Sequence, residues 1–287
     1  MKKSLLKKND KMKSEDLKQI VKEKYGKIAE QSDSEKSSCC SSSCCGSQVD
    51  YTVFSENYET KEGYNPDADL NLGCGIPTDY AGIKKGDNVL DLGSGAGNDC
   101  FVARAIVGEN GKVTGLDMTE PMILKARQNC AKLNFKNVEF VLGDIEEMPF
   151  SDKIFNVVIS NCVLNLVPDK SKAFREIFRV LKQGGHFCVS DVVLKGTLSE
   201  KMKKDAEMYA GCVSGASEMT EYLKIIENSG FLNVKVHKQK EIKLPDSLLS
   251  EYNDSYELNS YHAGDTGIFS ITVSAERPIG CSCDSIC

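Results

Sequence analysis

Short apolar runs alternate with longer stretches of helical spacing from Asn88 to Asp191, and this alternation predicts a parallel sheet covered by helices on both faces. The runs Asn88 to Leu92, Lys112 to Asp117, Val138 to Leu142, Phe155 to Ser160 and His186 to Val193 read as strands. Between them, Asp99 to Val107, Pro121 to Leu133 and Ser171 to Leu181 fit helices, the second with proline in its first turn. Leu198 to Met208 and Met219 to Asn228 fit two more helices, and Val234 to Ile242 with Ile268 to Ala275 fit a last pair of strands. The expected class is α/β: a doubly wound, mostly parallel seven-stranded sheet with a small C-terminal α/β appendage.

Ahead of this core, Leu17, Ile20, Val21 and Ile28 recur near helical spacing, which predicts one amphipathic helix from Ser14 to Glu30 with Ser14 as its N-cap. Residues 37–47 are nearly all Ser and Cys and cannot bury a core, so they read as an arm. Asn71-Leu-Gly-Cys-Gly75 forms a glycine-flanked turn just before the first strand. The organisation read from these shifts is a helix and arm over 1–50, a core over 51–195, a substrate-side region over 196–276 and a Cys-rich tail over 277–287.

Composition narrows the function. The chain has 287 residues and a formal charge of -6, which offers no concentrated basic surface for phosphate, so no nucleic-acid partner is expected. No run of about 18 apolar residues occurs, and the start Met-Lys-Lys-Ser-Leu-Leu-Lys-Lys has too few apolar residues for an export signal. A cytoplasmic protein without membrane partners is the expectation. Thirteen cysteines in such a chain point to metal, metalloid or redox chemistry rather than to disulfides.

The first strand runs straight into the densest motif, Asp91-Leu-Gly-Ser-Gly-Ala-Gly97. A dinucleotide fingerprint would need glycine at the sixth position counted from Gly93, and that position is Asn98. Asp91, before the glycines, and Asp117, ending the next strand, are instead placed for an amino-acid tail and a ribose. Together with Gly115-Leu-Asp-Met118 and Gly143-Asp-Ile-Glu146, the motif resembles those of the seven-stranded, Rossmann-like S-adenosylmethionine-dependent methyltransferases. The resemblance implies donor contacts from Asp91, Gly93, Ser94, Gly95, Gly97, Asp117, Met118, Asp144, Ile145 and Asn161, with Asp144 meeting the adenine amine.

The acceptor is read from the segment after the fourth strand, Ser160-Asn-Cys-Val-Leu-Asn-Leu166. It has no proline pair and no aromatic to stack a base, and no His to serve as general base for an oxygen acceptor. His186, His237 and His262 read as structural or surface residues. Cys100, Cys130 and Cys188 fall inside predicted elements and read as buried small hydrophobes. Cys74, Cys162 and Cys212 do not: each lies beside glycine or in a strand-end loop.

Asn71-Leu-Gly-Cys-Gly75 with Pro77-Thr78, Ile159-Ser-Asn-Cys-Val-Leu-Asn-Leu166, Ser190-Asp-Val-Val193 and Gly211-Cys-Val-Ser-Gly-Ala216, added to the donor motifs, resemble the arsenite methyltransferases over roughly Tyr51 to Phe231. The resemblance implies that Cys74, Cys162 and Cys212 bind trivalent arsenic, with arsenite or methylarsenite as substrate. It also implies that Cys74 forms a disulfide with an arm cysteine, reduced by thioredoxin or a glutathione-type thiol. Cys39, Cys40, Cys44 and Cys45 are all candidates for that partner. Ile76 departs from the asparagine many relatives carry. Cys281, Cys283 and Cys287 either capture metalloid loosely or have no specific role, and a monomer is expected. Two other readings share these residues: a methyltransferase for a small organic acceptor, and a thiol-rich metalloid buffer.

Overall fold

The apolar runs pair into one seven-stranded sheet in a computed structural model that describes residues 2–34, 56–196, 215–242 and 267–280, with side chains of the first helix described over 14–30. The chain begins with α1 (Lys2–Ser34). The core then alternates β1 (Asn88–Leu92), α2 (Asn98–Val107), β2 (Lys112–Asp117), α3 (Glu120–Leu133), β3 (Val138–Leu142), β4 (Phe155–Asn161), α4 (Lys170–Val180) and β5 (Leu181–Lys195). It closes with α5 (Met219–Asn228), β6 (Leu232–Glu241) and β7 (Gly267–Glu276).

The strand order is β3-β2-β1-β4-β5-β7-β6. Neighbours from β3 to β5 are parallel, and β7 runs antiparallel to both β5 and β6. What is described of the expected C-terminal appendage is therefore built into the sheet. Alternate residues of each central strand feed two cores, as the period of two requires. Val89, Val113, Val157 and Ile159 meet Phe101 of α2 and Ile123 of α3 on one face. Leu90, Leu92, Leu116 and Val158 meet Phe174 and Ile177 of α4 and Tyr222 and Ile226 of α5 on the other. Each fully buried side chain of this kind contributes about 1.5–3 kcal/mol. The switch in direction of the chain between β1 and β4 opens a crevice at the carboxyl ends of these strands, where open α/β sheets bind ligands.

Two boundaries differ from the sequence reading. The first helix starts at Lys2 and passes through Ser14 without a break. A single serine does not stop a helix whose neighbours are Lys, Met and Glu, with no glycine or proline before Gly26. The helix lies along α3, with Gly26 against Pro121. The fifth strand starts at Leu181, five residues before the expected His186. Gly184 takes φ 72°, and Gly184 and Gly185 exchange backbone hydrogen bonds with Arg277, so the strand runs through an irregularity ahead of His186.

The second expected helix pair loses Leu198 to Met208 to the undescribed residues, as do Cys39, Cys40, Cys44, Cys45, Cys212, His262, Cys281, Cys283 and Cys287. No helix among the described residues is long and apolar enough to cross a membrane.

Candidate functional site

The glycine turn after β1 is one wall of a cleft of roughly 1100 Å³, solvent at its mouth included. Gly93 takes φ 67°, and a Cβ there would lie 2.4 Å from Val163 Cγ2, so both the turn and the close approach of the next loop require glycine. The turn is pinned to β2: Gly93 N–H and Ser94 N–H donate to Leu116 O, and Gly95 N–H donates to Asp117 Oδ2 at 3.0 Å. Asp117 Oδ1 accepts from Thr119 N–H at 2.8 Å, which fixes the start of α3.

Asp91, Gly93, Ser94, Gly95, Asp117, Met118, Asp144, Ile145 and Asn161 all line this cleft. Gly97 does not; it starts α2 with φ 101°, and a Cβ there would meet Phe140 and Phe101. Buried Ser94 Oγ has no hydrogen-bond partner among the described residues, and the space beside Gly95 is open for 4 Å. An orphaned hydroxyl beside open space, with acids at the ends of β1 and β2, fits a polar, positively charged ligand such as S-adenosylmethionine.

The acids differ in surroundings. Asp91 is buried, accepts a hydrogen bond from Cys100 Sγ at 3.2 Å, and is held well above the carboxylate range by burial and then by the charge of Asp99. Cys100 is thus more than the apolar filler expected of it, whereas Cys188 is fully buried in the core and Cys130 lies 8% exposed against the carbonyls of Phe135 and Val138. Asp144 is expected to face adenine, but its two oxygens are already engaged: Lys18 Nζ donates to Oδ2 at 2.7 Å and Glu146 N–H to Oδ1 at 2.8 Å. Lys18 also pairs with Glu146, so α1 closes over the cleft, where Val21 and Tyr25 join Lys18 in the lining. Burial works against the Asp144 charge, yet the Lys18 hydrogen bond and the Glu146 amide bring its pKa below the ordinary value.

Of the described thiols expected at the site, Cys162 reaches the cleft and Cys74 does not. Cys162 follows β4 in the left-handed region at φ 59°, uncommon outside glycine, and its N–H donates to Ser190 O at 2.7 Å. It is 5% exposed and lines the cleft. Cys74 is 1% exposed and does not line it, although Gly73 does. The peptide groups around Cys74 are clamped on both sides. Asn161 Oδ1 accepts from Cys74 N–H at 3.0 Å, Asn161 Nδ2 donates to Gly75 O at 2.8 Å, and Ser270 Oγ of β7 donates to Cys74 O. A Cβ on Gly75 would lie 2.5 Å from Ser190 Oγ, so the turn is seated directly on β5. Asn161, expected as a donor contact, holds the turn that bears Cys74.

Cys212 lies outside the described residues. Gly215, the first described residue after it, accepts from Lys170 Nζ at 3.0 Å, and the same ammonium donates to Asn165 O at 3.2 Å, in the loop beyond Cys162. Nearby, buried Tyr222 donates to Asp191 Oδ2 at 3.0 Å. Burial, then the charge of Asp191 and its hydrogen bond, raise the Tyr222 phenol well above its ordinary value. Among the described residues, no group of three or more His, Cys, Asp or Glu is arranged to hold a metal ion. His186 contacts Ala81 O and His237 contacts Ser274 Oγ at 2.7 Å, both structural partners.

Tyr58, Asp99, Ser270, Tyr222 and Lys18 were not singled out by sequence. Only Asp99 carried a local signal, an acid in the first turn of the helix after the glycines. Asp191 also carries a pH dependence. Burial lifts its pKa to about 7, against the opposing pull of Lys170 and the Tyr222 hydrogen bond. A carboxyl that binds its proton more tightly when folded than at its ordinary value of 3.8 favours the folded state at low pH, and this advantage is lost as pH rises toward 7. Asp191→Asn should therefore leave stability unchanged near pH 4 and raise it relative to the parent at pH 8, by a few kcal/mol at most. Urea midpoints at the two pH values measure this, and parallel profiles for parent and variant would reject the assignment.

Comparison with known proteins bears on the family and the fold. Residues 83–253 match the family model described as a methyltransferase domain. An arsenite methyltransferase of Halobacterium salinarum is 37% identical over 92% of this chain and 67% of its own length. One from Aquipseudomonas alcaligenes is 32% identical over 80% of this chain and 66% of its own. The chain thus spans about two thirds of the length of these relatives. Among solved structures, the arsenic(III) S-adenosylmethionine methyltransferase of Chlamydomonas reinhardtii aligns with a TM-score of 0.63 and 33% identity, covering 72% of this chain and 68% of that one.

Proposed function

The chain belongs to the arsenite methyltransferase family, and on that premise we propose that it moves methyl groups from S-adenosylmethionine to trivalent arsenic held by its own cysteines. The observation that carries this reading is that Cys162 lines the donor cleft while Asn161, beside it, grips the turn bearing Cys74. Cys162 is thereby tied through Asn161 to the turn bearing Cys74, and Cys212 would supply the third thiol.

When bound, S-adenosylmethionine supplies a methyl group on a positively charged sulfur. Asp91, Ser94, Asp117 and Ile145 would hold it, with Met118 and Asn161 at its flanks. Arsenic(III) is soft and prefers thiolates to oxygens. Bound to three of them it keeps a lone pair and carries no proton, so no side chain has to act as base. That agrees with the structural roles of His186 and His237. What the thiols supply is position, and alignment alone can lower a barrier by about 7–11 kcal/mol. Transfer leaves arsenic pentavalent, and two electrons must return. Oxidation of the Cys74 thiol and one arm thiol to a disulfide would supply them, and thioredoxin or a glutathione-type thiol would then reduce that disulfide to restore both thiols. The protein is read as a cytoplasmic monomer whose 1–50 segment delivers the arm thiols to the 51–195 core, with 196–276 on the substrate side.

The test is direct. Purified protein is given arsenite, methyl-labelled S-adenosylmethionine and a thiol reductant, and labelled methylarsenicals are separated and counted. Product that depends on both arsenite and reductant is expected; label that never reaches arsenic would reject the proposal.

A further inference from the structure

Asp99 lines the donor cleft and belongs to none of the motifs that name the donor site. Its Oδ1 accepts from Tyr58 Oη at 2.8 Å and its Oδ2 from Asn161 Nδ2 at 3.1 Å. The same Asn161 amide contacts Gly75 O and, through its oxygen, Cys74 N–H. Asp99 is thus the acid of the cleft joined by one side chain to the acceptor turn. The reacting methyl has to lie where cleft and thiols meet, so the charged sulfur that carries it lies on Asp99's side of the site.

From this juxtaposition we propose that Asp99 is the counter-charge for the donor's sulfonium and selects the charged donor over its neutral product. Its hydrogen-bond partners, Tyr58 and Asn161, are both neutral, and Asp91, which shares the cleft, accepts from the Cys100 thiol. Burial raises Asp99 to about 6 against the two hydrogen bonds, and Asp69 and Asp79 push in the same direction. This is the behaviour of a carboxylate that gains from a nearby cation. Ser94 Oγ, buried in the same wall without a partner, marks the cleft independently as a ligand site. During transfer the arsenic lone pair forms the new C–As bond and the C–S bonding pair stays on sulfur, which becomes neutral. The attraction to Asp99 is then lost, and spent product is held more weakly than fresh donor.

The inference rests on the reading of this cleft as the donor site, and the test separates the two. Affinities for S-adenosylmethionine, S-adenosylhomocysteine and sinefungin are measured by calorimetry on the full chain and on Asp99→Asn. The amine of sinefungin places a cation near the position of the sulfonium, so it should follow the donor. Asp99→Asn should weaken S-adenosylmethionine and sinefungin about tenfold and leave S-adenosylhomocysteine within about twofold. Equal weakening of all three would assign Asp99 to the amino-acid tail, which all three share, or to structure alone, and would overturn the proposal. Asp99→Glu, which keeps the charge, should retain most of the parent's preference; a preference lost in Asp99→Glu as fully as in Asp99→Asn also overturns it. A parent protein that binds none of the three would reject the donor site itself.

Discussion

Replacing Cys162 by serine lowers methylarsenic formation by at least about a hundredfold while donor affinity stays near that of the parent. Serine fits the backbone at φ 59° and keeps the N–H bond to Ser190 O, so the cleft wall is preserved. What is lost is the soft ligand, since a hydroxyl is a poor partner for arsenic(III). Calorimetry with S-adenosylmethionine and product analysis with labelled donor measure the two quantities separately. Activity retained in the variant would favour a small organic acceptor with Cys162 merely buried. Tight arsenite binding by the parent with no turnover would favour a thiol-rich buffer.

The second large effect is expected at Gly93. Gly93→Ala forces a side chain into φ 67° and sets its Cβ 2.4 Å from Val163 Cγ2. Left-handed strain and overpacking together should cost about 3 kcal/mol. A chain of this size should then melt about 6–12 °C lower. Because Val163 adjoins Cys162, the displaced loop takes the acceptor thiol with it, and both donor affinity and arsenic methylation should fall at least about tenfold. A variant that melts and binds like the parent would mean that the Gly93 turn does not abut the Cys162 loop.

The sheet and its donor motif were legible in the sequence for a physical reason. Strands buried on both faces show as largely apolar runs, and the first three runs here end at Asp117 or directly before Gly93 and Gly143. Hence β1 to β4 begin where the pattern puts them. The clamp around Cys74 was not legible, because its partners are chosen by strand order rather than by spacing. Asn161 and Cys74 are 87 residues apart, Tyr58 and Asp99 41, and Lys18 and Asp144 126. Nothing near Ser270 announces that β7 will insert beside β5 and bring that hydroxyl to the Cys74 carbonyl. Local patterns thus picked out residues that line one cleft, and the hydrogen bonds that hold the Cys74 turn and the Lys18 contact over the cleft emerge only from the assembled sheet.

The reach of the Ser270 contact has a consequence in time. Ser270 and Cys74 are 196 residues apart in the chain. At synthesis rates of roughly 5–20 residues per second, the Cys74 turn emerges roughly 10–40 seconds before the strand that seats it. The strands β1 to β4 can assemble during that interval, whereas the Cys74 turn waits for β7. A nascent or prematurely released chain would therefore carry a nearly finished donor cleft beside a Cys74 turn that has lost the strand that docks it.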